Sequence, residues 1–156
     1  MKISCLSKNA EELQIIATWY FEEWGHLNSS ITRDKIFDGL SSKMDKDDDF
    51  LCLLIIREGA ELIAVADLKY REHKDYPEYE HWLGGVFVKP DYRGRGYASA
   101  LIEKAKDHTA ELGITDLYLQ CEEHNERLYL KHGFKPLHSA VHSGVSTRVF
   151  KLNTGT

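Results

Sequence analysis

The sequence of 156 residues is 42% hydrophobic, which is enough to form one compact domain without disulfides or a structural metal. Its formal net charge of −5 leaves no extended basic surface for a nucleic acid, whereas a cationic substrate would suit this balance. We therefore treat residues 1–156 as a single domain that does not bind nucleic acid.

The cysteines and the apolar runs bear on location. Cys5, Cys52 and Cys121 lie far apart and are odd in number, and the start of the chain lacks the apolar region of a signal peptide. Both features favour the reducing cytoplasm. The longest apolar run, Leu51 to Ile56, is far too short for a membrane span, which takes about 20 helical residues. We expect no membrane partner.

The first part of the chain predicts a strand followed by two helices. After a strand-like start from Met1 to Leu6, Asn9 and Glu12 have the spacing of a capping box, and apolar residues at helical spacing follow as far as Trp24. A weaker helical pattern runs from Ile36 to Met44 and stops in a charged run.

The middle of the chain predicts three strands. The apolar runs Phe50 to Ile56 and Leu62 to Leu68 flank a turn at Glu58 and Gly59, which indicates an antiparallel hairpin with both strands buried. A third strand follows over residues 82–88, and its glycine pair Gly84-Gly85 indicates a bulge.

The second half predicts helices alternating with strands. A helix begins near Ala98 and ends at Gly113, a strand covers Leu117 to Leu119, and a short helix extends from the cap Asn125 to Lys131. The tail returns as strands. The order of elements predicts an α/β or α+β fold with a mixed sheet in three layers.

The segment from Val86 to Ala98 carries the chemistry. In it a buried strand leads through a glycine-rich loop directly into a helix, whose first N–H groups are unpaired and attract negative charge. Gly94 and Gly96 let a phosphate approach the main chain, while Arg93 and Arg95 can add charged hydrogen bonds. This arrangement predicts a pyrophosphate site.

Two other phosphate-binding motifs fit this segment less well. A P-loop needs Gly-Lys followed by Ser or Thr, which this loop does not contain. A dinucleotide fingerprint needs a third glycine where Ser99 stands, and it should open a βαβ unit instead of following two antiparallel strands. A protein that binds ATP or NAD is therefore the weaker alternative.

The segment resembles the acyl-CoA signature of the GNAT superfamily of N-acetyltransferases, Arg/Gln-x-x-Gly-x-Gly/Ala after a strand, which Arg93, Gly96 and Ala98 match. The stretch from Asp116 to Phe134 is similar to the family's next strand and helix, and it ends with the family's Leu-Tyr-x-x-x-Gly-Phe pattern, in which the tyrosine is Tyr129. The first half of the chain matches only in the order of its elements.

The resemblance implies a GNAT fold, with a central mixed, mostly antiparallel sheet and helices on both faces, and acetyl-CoA as co-substrate. A gap between the third strand and the strand at Leu117 would form the cofactor slot. Val86, Phe87 and Val88 would pair with the pantetheine arm as an added strand does. The pyrophosphate would be bound by Arg93, Gly94, Arg95, Gly96, Tyr97 and Ala98, and Asn125 would be a further cofactor contact. Homodimers are common in the family.

The implied reaction is direct attack of a primary amine of a small molecule or peptide on the thioester, without an acyl-enzyme. An alkylammonium with a pKa of about 10.4 must first lose a proton, and the leaving thiolate must gain one. The resemblance assigns the proton donor to Tyr129. For the base we rank Glu80 first among several carboxylates and histidines that flank the two strands, Glu78, His81, Glu122, Glu123 and His124.

Three further predictions complete the interpretation. The aromatic and acidic loop from Tyr76 to Trp82 is expected to contribute to the acceptor site. No metal is expected, because the run from Asp45 to Asp49 lacks the other ligands of a calcium loop and Cys121-x-x-His124 lacks a matching pair. The alternative function is a non-catalytic acyl-CoA sensor or regulatory module of the same fold.

Overall fold

The fold is built on a central sheet, and the computed structural model describes residues 2–155. The strands are β1 Ile3–Cys5, β2 Cys52–Glu58, β3 Glu61–Tyr70, β4 His81–Val88, β5 Asp116–Cys121, β6 Lys135–His142 and β7 Val145–Asn153. The helices are α1 Ala10–Trp24, α2 Arg33–Met44, α3 Tyr97–Glu111 and α4 Glu126–Lys131. Met1, which the sequence placed at the start of the first strand, lies outside the described residues.

The seven strands form one sheet in the order β1-β2-β3-β4-β5-β7-β6. Neighbouring strands run antiparallel except β4 and β5, which run parallel because α3 crosses between them. The predicted mixed, mostly antiparallel sheet with helices on both faces is confirmed.

Local signals set the helix ends as predicted in two cases. The Asn9 side chain accepts a hydrogen bond of 3.1 Å from the main-chain N–H of Glu12 and caps α1. After α3, Gly113 takes a left-handed conformation with φ of 75°, which favours glycine. Asn125 occupies the cap position of α4, but its side chain makes no capping hydrogen bond.

The core lies on both faces of the sheet. Because side chains alternate along a strand, Leu53 and Ile55 of β2 pack with α1 and α2, whereas Leu54 and Ile56 pack on the α3 side. All four side chains are almost fully buried. Both faces of β2 and β3 are covered, which is why their sequences are continuous apolar runs and not alternating ones.

The edge strands of the sheet are β1 and β6, and on β6 Leu137 and Val141 are 44% and 62% exposed. The homodimer implied by the family resemblance stays a prediction. Within residues 2–155, no helix has the length and apolar composition that crossing a membrane requires.

Cys5 and Cys52 form a disulfide between β1 and β2, with their Cα atoms 5.7 Å apart. The bond closes a loop that contains α1 and α2, and the sequence analysis did not pair these cysteines. Disulfides persist in oxidising surroundings, so this pair weighs against the cytoplasmic location that the cysteine count favoured. Cys121 is a buried free thiol.

Reduction of the disulfide is expected to lower the free energy of unfolding by about 4 kcal/mol, because the bond restricts a long loop in the unfolded chain. Urea unfolding of the wild type with and without a phosphine reductant measures this difference. Cys5→Ala is the control. Its free energy of unfolding should equal that of the reduced wild type and should not change when the reductant is added. The pairing would be contradicted if the reductant left the unfolding curve of the wild type unchanged and an alkylating agent reacted with every cysteine.

Candidate active site

Strands β4 and β5 part almost as soon as they meet. They pair at a single position, Trp82 opposite Tyr118, and then diverge. On the other side of β4, the register with β3 shifts between Val65 and Asp67, and Gly85 lies at this irregularity with φ of 55°. The predicted bulge at the glycine pair is therefore present, and it bends β4 where the two strands separate.

Tyr20 of α1 fixes the bulge from one face of the sheet. Its hydroxyl donates a hydrogen bond of 2.8 Å to the main-chain oxygen of Gly85. A Cβ atom added at Gly85 would lie 2.5 Å from the Tyr20 hydroxyl oxygen, so only glycine fits under this ring. Burial and the charge of Glu72 raise the pKa of Tyr20, which keeps the phenol protonated as a donor.

In the glycine loop, residues 93–96, the arginine side chains make contacts within the protein, whereas the space beside the glycine main chain is empty. Gly94 and Gly96 have φ of 76° and 85°, and an added Cβ at either would meet no atom within 4 Å. Arg93 turns back to donate a hydrogen bond of 2.8 Å from Nε to the oxygen of Val88. Arg95 lies 5.2 Å from the ring centre of Tyr92. Both glycines therefore border open space next to the start of α3, whose first N–H groups have no partner within the helix.

The gap and the loop open into one cavity of about 1470 Å³. Pockets for single drug-sized ligands usually have about 300–1000 Å³, so the cavity has room for a cofactor and an acceptor together. It is lined by most of the residues predicted to bind the cofactor, namely Val86, Phe87, Val88, Arg93, Gly94, Gly96, Tyr97, Ala98 and Asn125. Arg95 is not among the lining residues.

Tyr129 also lines the cavity, from α4. Burial, with the neighbouring Cys121 and Glu72, raises the pKa of its phenol, so it carries its proton at neutral pH. Burial and Glu126 raise the pKa of the Cys121 thiol to about 12. A thiol with so high a pKa is not a ready nucleophile.

A polar network at the cavity wall was missed in the sequence. Lys69 and Glu72 form an ion pair of 2.8 Å, and Glu72 also accepts a hydrogen bond of 3.0 Å from the Gln120 side chain. Lys43 of α2 contacts Asp67 of β3, and both side chains are nearly buried. These contacts place Glu72 beside the β4 backbone, because a Cβ atom added at Gly84 would lie 2.3 Å from Oε1 of Glu72.

One member of this network left a signal in the sequence. Asp67 interrupts the apolar run from Leu62 to Leu68, and a carboxylate in a buried strand needs a partner or a function. Lys43 and Glu72 left no comparable signal, because Lys43 lies in the last turn of α2 and Glu72 just after β3, where polar residues are expected at the surface.

Glu80, ranked first as base from the sequence, lies outside the residues that line the cavity. Its side chain is half exposed and pairs with Arg71 across 3.6 Å. Of the other candidates for the base, Glu122 and His124 line the cavity, whereas Glu78, His81 and Glu123 do not. The role of Glu80 as base stays a prediction that its position does not favour.

The loop from Tyr76 to Trp82 packs away from the cavity. Tyr79 stacks on Tyr118 with ring centres 4.3 Å apart, and its hydroxyl lies 2.8 Å from Nε2 of His138. No residue from Tyr76 to Trp82 lines the cavity. The expected contribution of this loop to the acceptor site therefore has no support from its packing. Within residues 2–155, no group of three or more His, Cys, Asp or Glu side chains is arranged to hold a metal ion.

The fold and the cavity define an α/β protein with a long slot that ends at the glycine loop and the start of α3. The sequence matches the Acetyltransferase (GNAT) family over residues 11–134, which is most of the chain. The chain therefore belongs to the GNAT acetyltransferase family, and its general activity is acetyl transfer. No curated protein is significantly similar to it in sequence.

Solved structures of acetyltransferases share the fold at low identity. An aminoglycoside 6′-N-acetyltransferase complexed with coenzyme A has a TM-score of 0.79 and 12% identity, covering 100% of this chain and 98% of its own. The protein yncA from Salmonella typhimurium, solved with its cofactor acetyl-CoA, has a TM-score of 0.76 and 16% identity, with coverage of 98% and 94%. The PaiA N-acetyltransferase from Thermoplasma acidophilum, in complex with coenzyme A, has a TM-score of 0.73 and 18% identity, with coverage of 98% and 99%.

Replacement of Gly85 by alanine tests the bulge, with Gly94→Ala as the matched control. Both positions have positive φ, but only at Gly85 would the new methyl group meet Tyr20. We expect Gly94→Ala to lower the free energy of unfolding by about 1 kcal/mol and Gly85→Ala by about 3 kcal/mol, measured in urea. Equal losses would mean that the Tyr20 contact does not constrain β4.

Proposed function

We propose that the protein is an N-acetyltransferase that transfers the acetyl group of acetyl-CoA to a primary amine of a small molecule or peptide by direct attack in a ternary complex. The observation that carries the proposal is the parting of β4 and β5 after their single pair, Trp82 and Tyr118. It leaves a strand edge, a phosphate-binding helix start and a protonated tyrosine around one cavity.

The slot suits the shape of acetyl-CoA. The free edge of β4 at Val86 to Val88 can pair with the amides of the pantetheine arm as an added strand would. The open main chain at Gly94 and Gly96 and the first turn of α3 can hold the pyrophosphate. Asn125 lines the same cavity from the start of α4 and is a further contact in this proposal.

In this proposal, the polar network around Glu72 binds the acceptor amine and takes its proton. Glu72 sits over the β4 backbone at Gly84, close to the point where the thioester would end. A carboxylate there can attract a cationic amine and take its proton, directly or through a water molecule. Because Glu72 meets these requirements and Glu80 is outside the cavity, we propose Glu72 as the base.

The proton donor faces the same space as the base. Glu72 and Tyr129 both line the cavity, and burial, Cys121 and Glu72 all raise the pKa of the Tyr129 phenol. In the proposed sequence the amine loses its proton to Glu72 and attacks the thioester carbonyl. The tetrahedral intermediate then collapses as its C–S bond breaks, and the departing sulfur takes the Tyr129 proton. The second proton of the attacking nitrogen returns the Tyr129 phenolate to a phenol, and Glu72 releases its proton to solvent. Cys121, kept as a thiol, has no part as an acyl carrier.

We also propose a cytoplasmic location, because the reaction needs a compartment that supplies acetyl-CoA. The reducing surroundings of that compartment would oppose the disulfide between Cys5 and Cys52 that the structure contains. The alternative, an acyl-CoA sensor without turnover, would bind the cofactor and release no thiol with any amine.

Tyr129→Phe tests the proton donor. Loss of the hydroxyl should lower kcat by about 100-fold, because general acid catalysis usually contributes at least that factor, and leave the affinity for acetyl-CoA within about twofold. Thiol release with the best acceptor from a panel of primary amines measures the rate, and calorimetry measures the affinity. Tyr118→Phe, a buried tyrosine outside the cavity lining, is the control. Unchanged turnover in Tyr129→Phe would remove this residue from the mechanism.

Glu72→Gln and Glu80→Gln together identify the base. We expect Glu72→Gln to lower kcat/KM for the amine by about 100-fold near neutral pH, with partial recovery at alkaline pH, where the amine is already neutral. Glu80→Gln should keep the wild-type profile. The opposite pattern, a loss in Glu80→Gln alone, would restore the assignment made from the sequence.

A further inference from the structure

His132, Ser99 and Glu103 form a hydrogen-bonded chain at the phosphate end of the cavity. Nδ1 of His132 lies 2.6 Å from Oε2 of Glu103, and Nε2 of the same ring lies 3.0 Å from Oγ of Ser99. Ser99 lines the cavity in the first turn of α3, and Glu103 follows one turn later on that helix. The His132 side chain is only 9% exposed, so this is a packed arrangement.

The charged neighbours fix the direction of these hydrogen bonds. Among the described residues, two charged side chains bond to His132: Glu103 to its ring, and Lys106 to its main-chain oxygen over 2.7 Å. Lys106 also donates to Glu103 over 3.1 Å, and Lys131, the preceding residue, lines the same cavity. Although burial acts to raise the pKa of Glu103, the hydrogen bonds from His132 and Lys106 lower it overall. A carboxylate can only accept, so Nδ1 of His132 is the donor to Glu103.

The state of the other ring nitrogen then decides what Ser99 can offer a ligand. With a neutral ring, Nε2 is an acceptor and takes the Ser99 hydroxyl proton, so the serine turns lone pairs toward the cavity. With a protonated ring, Nε2 donates to Ser99 Oγ and the hydroxyl proton is free to point at the ligand. Only the second state suits an anionic phosphate.

We propose that His132, oriented by Glu103, is a positioning residue that turns the Ser99 hydroxyl toward the cofactor pyrophosphate, and that cofactor binding is coupled to protonation of His132. This inference rests on the proposed use of acetyl-CoA. Binding favours the protonated ring, so affinity is greatest at low pH and falls as the ring loses its proton with rising pH.

The test is calorimetric binding of acetyl-dephospho-coenzyme A from about pH 5.5 to about pH 8, the range over which imidazoles titrate. This ligand keeps the pyrophosphate but lacks the 3′-phosphate, whose own ionisation near pH 6 would obscure the result. Wild-type affinity should fall about tenfold across the range, as expected for one charged hydrogen bond. Ser99→Ala should bind about tenfold more weakly at low pH and lose the part of the slope that depends on His132. Titration of Lys43, whose pKa burial and Lys69 lower to about 6, acts on both proteins alike.

Two further measurements separate positioning from a general loss of structure. His132→Phe should show the same reduced slope as Ser99→Ala, whereas His108→Phe, which alters a histidine of α3 outside the cavity lining, should keep the wild-type slope. Acetyl-pantetheine, which has no pyrophosphate, should bind wild type and Ser99→Ala equally.

The outcomes distinguish this inference from the proposed function. A wild type that binds neither acetyl-CoA nor its dephospho form overturns both. Binding with a flat pH dependence, or a wild-type slope retained in Ser99→Ala, overturns the role of His132 and Ser99 and leaves the cofactor assignment intact. Should His132→Phe fail to fold, Ser99→Ala carries the test alone, because alanine is well accepted in a helical turn.

Discussion

The site depends on the separation of β4 from β5 beyond a single pair, Trp82 and Tyr118. Main-chain N–H and C=O groups inside a sheet need partners, and a gap between parallel strands leaves a row of them unpaired. Tyr20 satisfies one of these groups by donating to the oxygen of Gly85. The remaining groups on this edge of β4 face the cavity, so a ligand that brings its own amides can complete the sheet.

The same separation explains where the charged groups lie. Burying an ion pair costs desolvation energy that the attraction between the charges only partly offsets, so such a pair adds little to the stability of the fold. Here Lys43 and Asp67, with Lys69 and Glu72, line the wall of the cavity. Their position supports a function in holding the acceptor. Lys43 comes from α2, which the disulfide of Cys5 and Cys52 encloses in one loop with α1.

The sequence predicted those parts of the fold that short-range patterns determine. Capping by Asn9, the buried hairpin, the bulge at the glycine pair and the glycine loop before α3 all follow from residues close together in the chain. The wall of the cavity could not be predicted in the same way. Glu72 and Gln120 are 48 residues apart, and only the assembled sheet brings them within hydrogen-bonding distance. Glu80 has the same chemistry and a similar place in the sequence, but the loop turns it outward.

The histidine near the end of α4 shows the same limit. The sequence around His132 indicates only a polar residue at a helix end, yet α3 supplies a serine and a carboxylate, 33 and 29 residues away, that bond to both of its ring nitrogens. Ser99 also appeared in the sequence only as a departure from a dinucleotide fingerprint. Contacts of this kind depend on how two helices pack and not on local pattern.

The measurement that tests the account most directly is residue-resolved amide hydrogen exchange of the wild type with and without acetyl-CoA. If the gap is the cofactor slot, the amides of Val86 to Val88 that face β5 exchange readily in the free protein and become protected when acetyl-CoA is added, together with those of Gly94 to Ala98. Protection confined to the glycine loop, or protection equally produced by ATP, would contradict the assignment of the gap to pantetheine.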